Sequence, residues 1–250
     1  MKLLKYELAK LARPLLPLYA AGLILAGCSR VLLNSGSGVM VTLGGYASFV
    51  TVLVLAAAVI VTVLASWLSF YRNNFKPESY VMHSLPVADS RIWMSFILCG
   101  LLFITLSVAT AILSIRILAP QVIMDNIQAL IGQNPEIGHM LIWVMILAAE
   151  FQMILDWICG MTGMALGLKR HGSRLGMSVL WGVMLYVAVI VIQVLLALMV
   201  AGPDGMVSQD TMELSVFMTM MKTLVAGYGM MDLLLILLGS FVYSRGFDLE

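Results

Sequence analysis

Charge is scarce in this chain. Lys, Arg, Asp and Glu together make up 11% of its 250 residues, against about 25% in an average soluble domain. That excludes a disordered segment and a well-solvated globular domain. Cysteine is sparse as well. Cys28, Cys99 and Cys159 each lie in an apolar run, so they read as buried free thiols and build no disulfide framework. The chain has no Gly-x-x-x-x-Gly-Lys-Ser/Thr run, and therefore no P-loop to cradle nucleotide phosphates. It has no His-Glu-x-x-His run either. Its three histidines, His83, His139 and His171, fall in separate loops or span ends without metal-ligand spacing. A zinc protease and a serine–histidine hydrolase within the membrane are excluded together. No internal repeat and no low-complexity tract is visible.

What the chain has in abundance is apolar surface, 62% of residues. A spanning helix needs about 20 apolar residues, and six such stretches are present: Leu15–Leu33, Leu43–Phe70, Ile92–Leu118, Met140–Leu168, Leu175–Val200 and Leu224–Ser244. The expected fold is all-α, a polytopic membrane protein with six transmembrane helices in a single domain over residues 1–250. The run Leu25-Ala26-Gly27-Cys28 is similar to a lipoprotein cleavage box. Its n-region would have to hold Glu7 and Arg13, however, so the segment reads as part of the first span.

The basic residues set the orientation. Lys2, Lys5, Lys10 and Arg13 precede the first span, and Arg72, Lys76 and Arg91 lie between the second and third. Lys169, Arg170 and Arg174 lie between the fourth and fifth, and Arg245 follows the sixth, so eleven of the fourteen Lys and Arg residues share one side. By the positive-inside rule both termini and the 71–91 and 169–174 loops are cytoplasmic, at the cell (plasma) membrane. Residues 1–14 form an amphipathic pattern, with the basic residues opposite a Leu4, Leu8, Leu11, Leu15 stripe. This predicts an interfacial helix against anionic headgroups, blemished by Glu7 and bent into the membrane at Arg13-Pro14. An ordinary topology signal accounts for the same residues.

The segment Ser69–Val87 carries the most information. Phe70, Tyr71 and Arg72 form an aromatic-basic border. Pro77 suits the first turn of a short helix, Glu78 complements its dipole, and Pro86 stops it. Asp89 or Ser90 is placed to cap the third span. Tyr80, Met82 and Leu85 would make an exposed apolar patch unless something covers them.

The run Glu78-Ser79-Tyr80-Val81-Met82-His83-Ser84-Leu85-Pro86-Val87, with the opening Met1-Lys2-Leu3-Leu4-Lys5-Tyr6-Glu7, resembles membrane-spanning permease subunits of type-2 ATP-binding-cassette (ABC) exporters of Gram-positive bacteria. The resemblance covers about the first 95 residues, and beyond them only the topology. It implies that the 71–91 loop is a coupling helix docking on a separate ATP-binding subunit, with Glu78, Tyr80, Met82, Leu85 and Pro86 transmitting its closure. ATP and magnesium would be bound in that partner, where hydrolysis would occur, with no cofactor on this chain. The other partners implied are a second permease chain, identical or homologous, and membrane lipid, with no nucleic acid. The bland reading of Leu-Pro-Val is loop punctuation before a capped helix.

Three acids fall inside the spans: Glu150, Asp156 and Asp232. An acid in mid-membrane is a functional-site hypothesis by default. These three are candidates for a translocation path, either a cationic-substrate route or a proton relay, with Gln152 and Gln193 near in depth. Neutral carboxylic acids packed between helices are the competing reading. Six residues turn a helix by about 240°, so Glu150 and Asp156 cannot share a face. Gly160, Gly163 and Gly167 predict close helix packing against an unspecified partner. Twenty methionines suit flexible packing or adaptable lining better than a copper path. The polar stretch 202–223, with Leu214–Met221 apolar, predicts an external re-entrant helix before the last span. The alternative function is an ATP-independent secondary transporter using the intramembrane acids. Cargo is not readable: peptide, lipid and drug all fit.

Overall fold

The structure is a computed structural model and describes residues 2–75, 88–118, 135–168, 174–205 and 214–244. It is helical throughout, with no strand among the described residues. The elements are α1 (Lys2–Leu33), α2 (Gly38–Phe75), α3 (Asp89–Leu118), α4 (Pro135–Gly167), α5 (Arg174–Gly205) and α6 (Leu214–Ser244). Each contains a segment long and apolar enough to cross a membrane, which makes six. In hydrocarbon a helix satisfies its own backbone, so long apolar runs settle as helices. Their outward faces are apolar as well: along α5, Val179, Val183, Val187, Val191 and Leu195 are all exposed. A face of that kind suits lipid and would be a liability in water.

Two element boundaries differ from the sequence reading. At Pro14 there is no helix boundary, because α1 runs on with Pro14 and Pro17 inside it. Both prolines stand on its exposed side, where the lost hydrogen bonds and the ring do not disturb packing. Likewise Leu214–Met221 is the opening of α6 and not a separate short helix, since no glycine or proline interrupts the chain between Leu214 and Ala226. Of the rest of the expected external segment, residues 202–205 end α5, 222–223 belong to α6, and 206–213 lie outside the described residues. A third difference is Cys28, which is exposed on α1, whereas Cys99 and Cys159 are buried. The third span starts with Asp89 already in its first turn, and Arg91 N–H bonds back to the Ala88 carbonyl at 2.9 Å.

The described residues fall into two compact units. The first holds α1, α2 as far as Ser69 and α3 from Leu98. Gly36 at φ 72° allows the tight turn between α1 and α2. The Leu4, Leu8, Leu11, Leu15 stripe faces protein: Leu11, Leu15 and Tyr19 pack with Ala58, Cys99 and Phe103, and Leu4 and Leu8 lean on that core. Glu7 is fully buried and accepts a 2.8 Å hydrogen bond from Ser69 Oγ. Further along, the Tyr19 hydroxyl meets Thr62 Oγ1 at 2.7 Å and the Phe103 carbonyl at 3.2 Å. Ser29 Oγ meets Thr51 Oγ1 at 3.2 Å, and Arg30 Nη1 donates to the Ile117 carbonyl at 2.8 Å.

The second unit holds the end of α2 from Phe70, the start of α3 to Ile97, and α4, α5 and α6. Here the glycines of α4 find their partner in the same chain. A Cβ on Gly163 would come within 2.5 Å of the Gly182 backbone on α5. One on Gly167 would collide with Ser178, whose hydroxyl donates to the Met164 carbonyl at 3.4 Å. Two small-x-x-x-small pairs therefore meet backbone to backbone. At the other side of this unit α6 collects partners. Thr162 Oγ1 donates to the Leu235 carbonyl at 3.3 Å, and Trp93 Nε1 to the Ile236 carbonyl at 3.3 Å. The Trp93 ring occupies the space that a side chain at Gly239 would need. Phe70 stands edge-on to Trp93 and Phe96, with centroids 5.7 and 5.3 Å apart, and the Tyr243 hydroxyl bonds Asn74 Oδ1 at 2.5 Å.

The α4–α5 contact is asymmetric, and this gives a test. Gly163→Ala is expected to destabilise the protein by about 1–3 kcal/mol through overpacking. Gly182→Ala, with nothing within 4 Å of the new methyl, should be neutral or gain up to about 1 kcal/mol from helix propensity. Thermal unfolding of the two variants in the same detergent checks the difference.

Candidate functional site

Charged groups in the middle of apolar spans are the residues that packing alone does not explain. Asp156 lies near the centre of the span Ile142–Gly167, and Asp232 near the centre of Met218–Ser244. An acid at that depth costs about 2.5–3.5 kcal/mol even on the mild insertion scale. The Thr162–Leu235 hydrogen bond fixes the register of α4 against α6. Even-numbered spans that each cross the membrane run in the same direction, so that register puts Cys159 level with Asp232. Asp156 is then displaced by three residues, about 4.5 Å along the axis. The electrostatics agree: the charge of Asp156 reaches Asp232, and both acids act on the Cys159 sulfur. Tyr228, one turn before Asp232 on α6, also lies within reach of Asp156.

The two acids are held differently. Asp156 Oδ1 accepts a 2.9 Å hydrogen bond from Gln152 Nε2, one turn earlier on α4. The Gln152 amide oxygen accepts from Gln193 Nε2 of α5 at 3.0 Å. A half-buried amide chain thus runs from α5 through Gln152 to Asp156. Asp232 is 5% exposed, and neither of its buried carboxyl oxygens has a hydrogen-bond partner. A buried polar group left this way costs roughly 1–3 kcal/mol, more when charged. An acid with no donor around it can accept a proton or bind a cation. It does nothing for packing.

Of the residues singled out in the sequence, Asp156 and Asp232 come together. Glu150, half-buried on α4, is six residues and about 240° away from Asp156 on the same helix, on a different face. Glu78, Tyr80, Met82, Leu85 and Pro86 lie outside the described residues, as does the rest of 76–87. Sequence reasoning did not single out Tyr228 or place Cys159 beside the acids. The available signal was spacing, with Tyr228 and Asp232 at i, i+4 and Gln152, Asp156 and Cys159 on one face of α4. Without the register between the helices, that spacing names two faces and not a site.

The amide chain predicts a specific pattern of coupling. Gln152→Leu keeps the volume but removes both hydrogen bonds, for an expected loss of about 1–3 kcal/mol. Gln193→Leu removes one and should lose less. The double variant should lose little more than Gln152→Leu alone, as expected for residues in one network. Thermal melts of the four proteins in lipid nanodiscs measure this cycle. Compared with known proteins, the chain matches no family model, no curated protein and no solved structure.

Proposed function

We propose that this chain is the membrane-spanning permease subunit of an ABC transporter, driven by a separate ATP-binding subunit that docks on the 71–91 loop. The observation that carries this reading is the run Glu78-Ser79-Tyr80-Val81-Met82-His83-Ser84-Leu85-Pro86-Val87 and its position. It falls between the end of α2 at Phe75 and the start of α3 at Asp89, on the side where eleven of fourteen basic residues collect. That side is the cytoplasm in this reading, and both termini share it at the plasma membrane. Without a P-loop of its own, the chain needs ATP and magnesium bound in the partner. Two permease chains, identical or homologous, would stand side by side. Export of a peptide, a lipid or a drug would each suit a chain with twenty methionines, whose flexible thioethers adapt to varied apolar surfaces.

Packing at the loop's two anchor points supports the same reading. Asn74, at the end of α2, is bonded to Tyr243, and Trp93, at the start of α3, to the Ile236 carbonyl. A displacement of the docked loop would therefore pull on α6 from both ends of the connection. Lys5 and Arg13 are exposed on α1 and would meet headgroups on the cytoplasmic side. The external segment 202–223 lies at the opposite surface in this scheme.

A second reading is favoured by one observation, the buried and unbonded carboxyl of Asp232 beside Asp156. A secondary transporter working without ATP would use such acids to couple ion movement to cargo. Co-purification separates the two readings. An ATP-hydrolysing subunit should come down with the wild-type chain, and Tyr80→Asp with Leu85→Asp should abolish that association while leaving the permease in the membrane. Undiminished co-purification removes the docking role from this loop, and a wild-type chain that comes down alone without nucleotide turnover moves the assignment to the secondary transporter.

A further inference from the structure

Among the described residues, the buried side-chain oxygens and nitrogens without a hydrogen bond are Ser114 Oγ and both carboxyl oxygens of Asp232. A serine hydroxyl left alone is a small loss. A carboxyl group at mid-membrane is a different matter, because its ionised form needs a counter-charge. None is close. The spans Ile142–Gly167, Leu175–Met199 and Met218–Ser244 contain no arginine or histidine, and their only lysine is Lys222. Lys222 stands ten residues before Asp232, about 15 Å along the helix axis. The titratable groups that reach Asp232 are Asp156 and Cys159 from α4 and, through Asp156, Tyr228 on its own helix. From α5 the polar group nearest in this chain of contacts is the amide of Gln193. From α3, Trp93 packs one turn further along α6, at Ile236. Every group with charge to offer is therefore acidic or neutral.

We propose that Asp156 and Asp232 together form a proton-binding site at the centre of the membrane, with one proton held by the pair on Asp232. Where the charge of one carboxylate reaches a second that is buried in apolar surroundings, the two do not readily ionise together. Asp156 already accepts the Gln152 amide N–H on one carboxyl oxygen. Asp232 receives no N–H and has both oxygens open, so the O–H bond forms there. The proton comes from water and returns to water, with no other bond made or broken. A proton fits where a metal ion does not: among the described residues no group of three or more His, Cys, Asp or Glu side chains converges for one. Gln193 and Gln152 then act as positioning residues that hold Asp156 in place. The inference does not rest on an ATP-binding partner and stands under either reading of function. Its failure leaves the docking role of loop 71–91 intact, because co-purification reads that role separately.

The full-length chain in lipid nanodiscs, titrated from acid to alkaline buffer and followed by infrared spectroscopy, tests the site. The wild type should show the carbonyl band of a protonated carboxylic acid that disappears as the pH rises. Asp232→Asn should lose this band, and Glu150→Gln should keep it. Asp156→Asn should keep the band but shift the pH at which it disappears, which a merely structural role for Asp156 would not do. If Asp232→Asn does not fold, Asp232→Glu serves, and its band should move in frequency. A wild type without such a band at any pH overturns the proposal, as does a band that Asp232→Asn leaves in place or Asp232→Glu leaves unmoved.

Discussion

In hydrocarbon there is no water to accept a stray hydrogen bond, so each polar group must be answered inside the protein. Much of the architecture follows from that constraint. It turns apolar runs into helices, and it also decides how the helices meet. Tyr19 settles against Thr62 and the Phe103 carbonyl, Glu7 against Ser69, and Arg30 against the Ile117 carbonyl. Where side chains are too small to bond, backbone comes into direct contact, as at Gly163 and Gly182. Against this rule Asp232 stands out, since its two oxygens are buried and unanswered.

Within its own unit α6 is the helix that the others address. Thr162 and Trp93 donate to consecutive carbonyls, Leu235 and Ile236. The side chain of Tyr243 ties its end to Asn74. Such bonds to helix carbonyls add to the intrahelical ladder and leave the acceptor with two partners, which its second lone pair allows. The helix that carries Asp232 is thereby coupled to the residues that flank the loop 76–87. Asp232 and the contacts of the two helix ends that flank residues 76–87 thus share one helix.

Most of the fold was legible in the residues, because the strongest signal, a long run without charge, survives any tertiary context. Six spans were expected and six helices of that kind are present. The misplaced boundaries have physical causes. Pro14 reads as a bend between an interfacial helix and the first span, and α1 runs through it as one helix. Glu7 reads as a blemish on an apolar stripe, yet Ser69, sixty-two residues on, supplies its hydrogen bond. The same limit hid the pairing of Asp156 with Asp232. Helical period tells which residues share a face, but the register between two helices depends on contacts such as Thr162 with Leu235. The glycines of α4 were legible as a packing surface, and the matching Ser178 and Gly182 spacing on α5 shows which surface they were waiting for.

The polar contacts of α1 bear on how the chain enters the bilayer during synthesis. Glu7, Tyr19 and Arg30 all rely on residues of α2 or α3. When α1 first leaves the ribosome none of those residues has been made, so these particular contacts form only later. Arg30 in particular stays unmatched until Ile117 has been polymerised. The contacts that settle α1 among its neighbours are therefore complete only when the third helix has emerged.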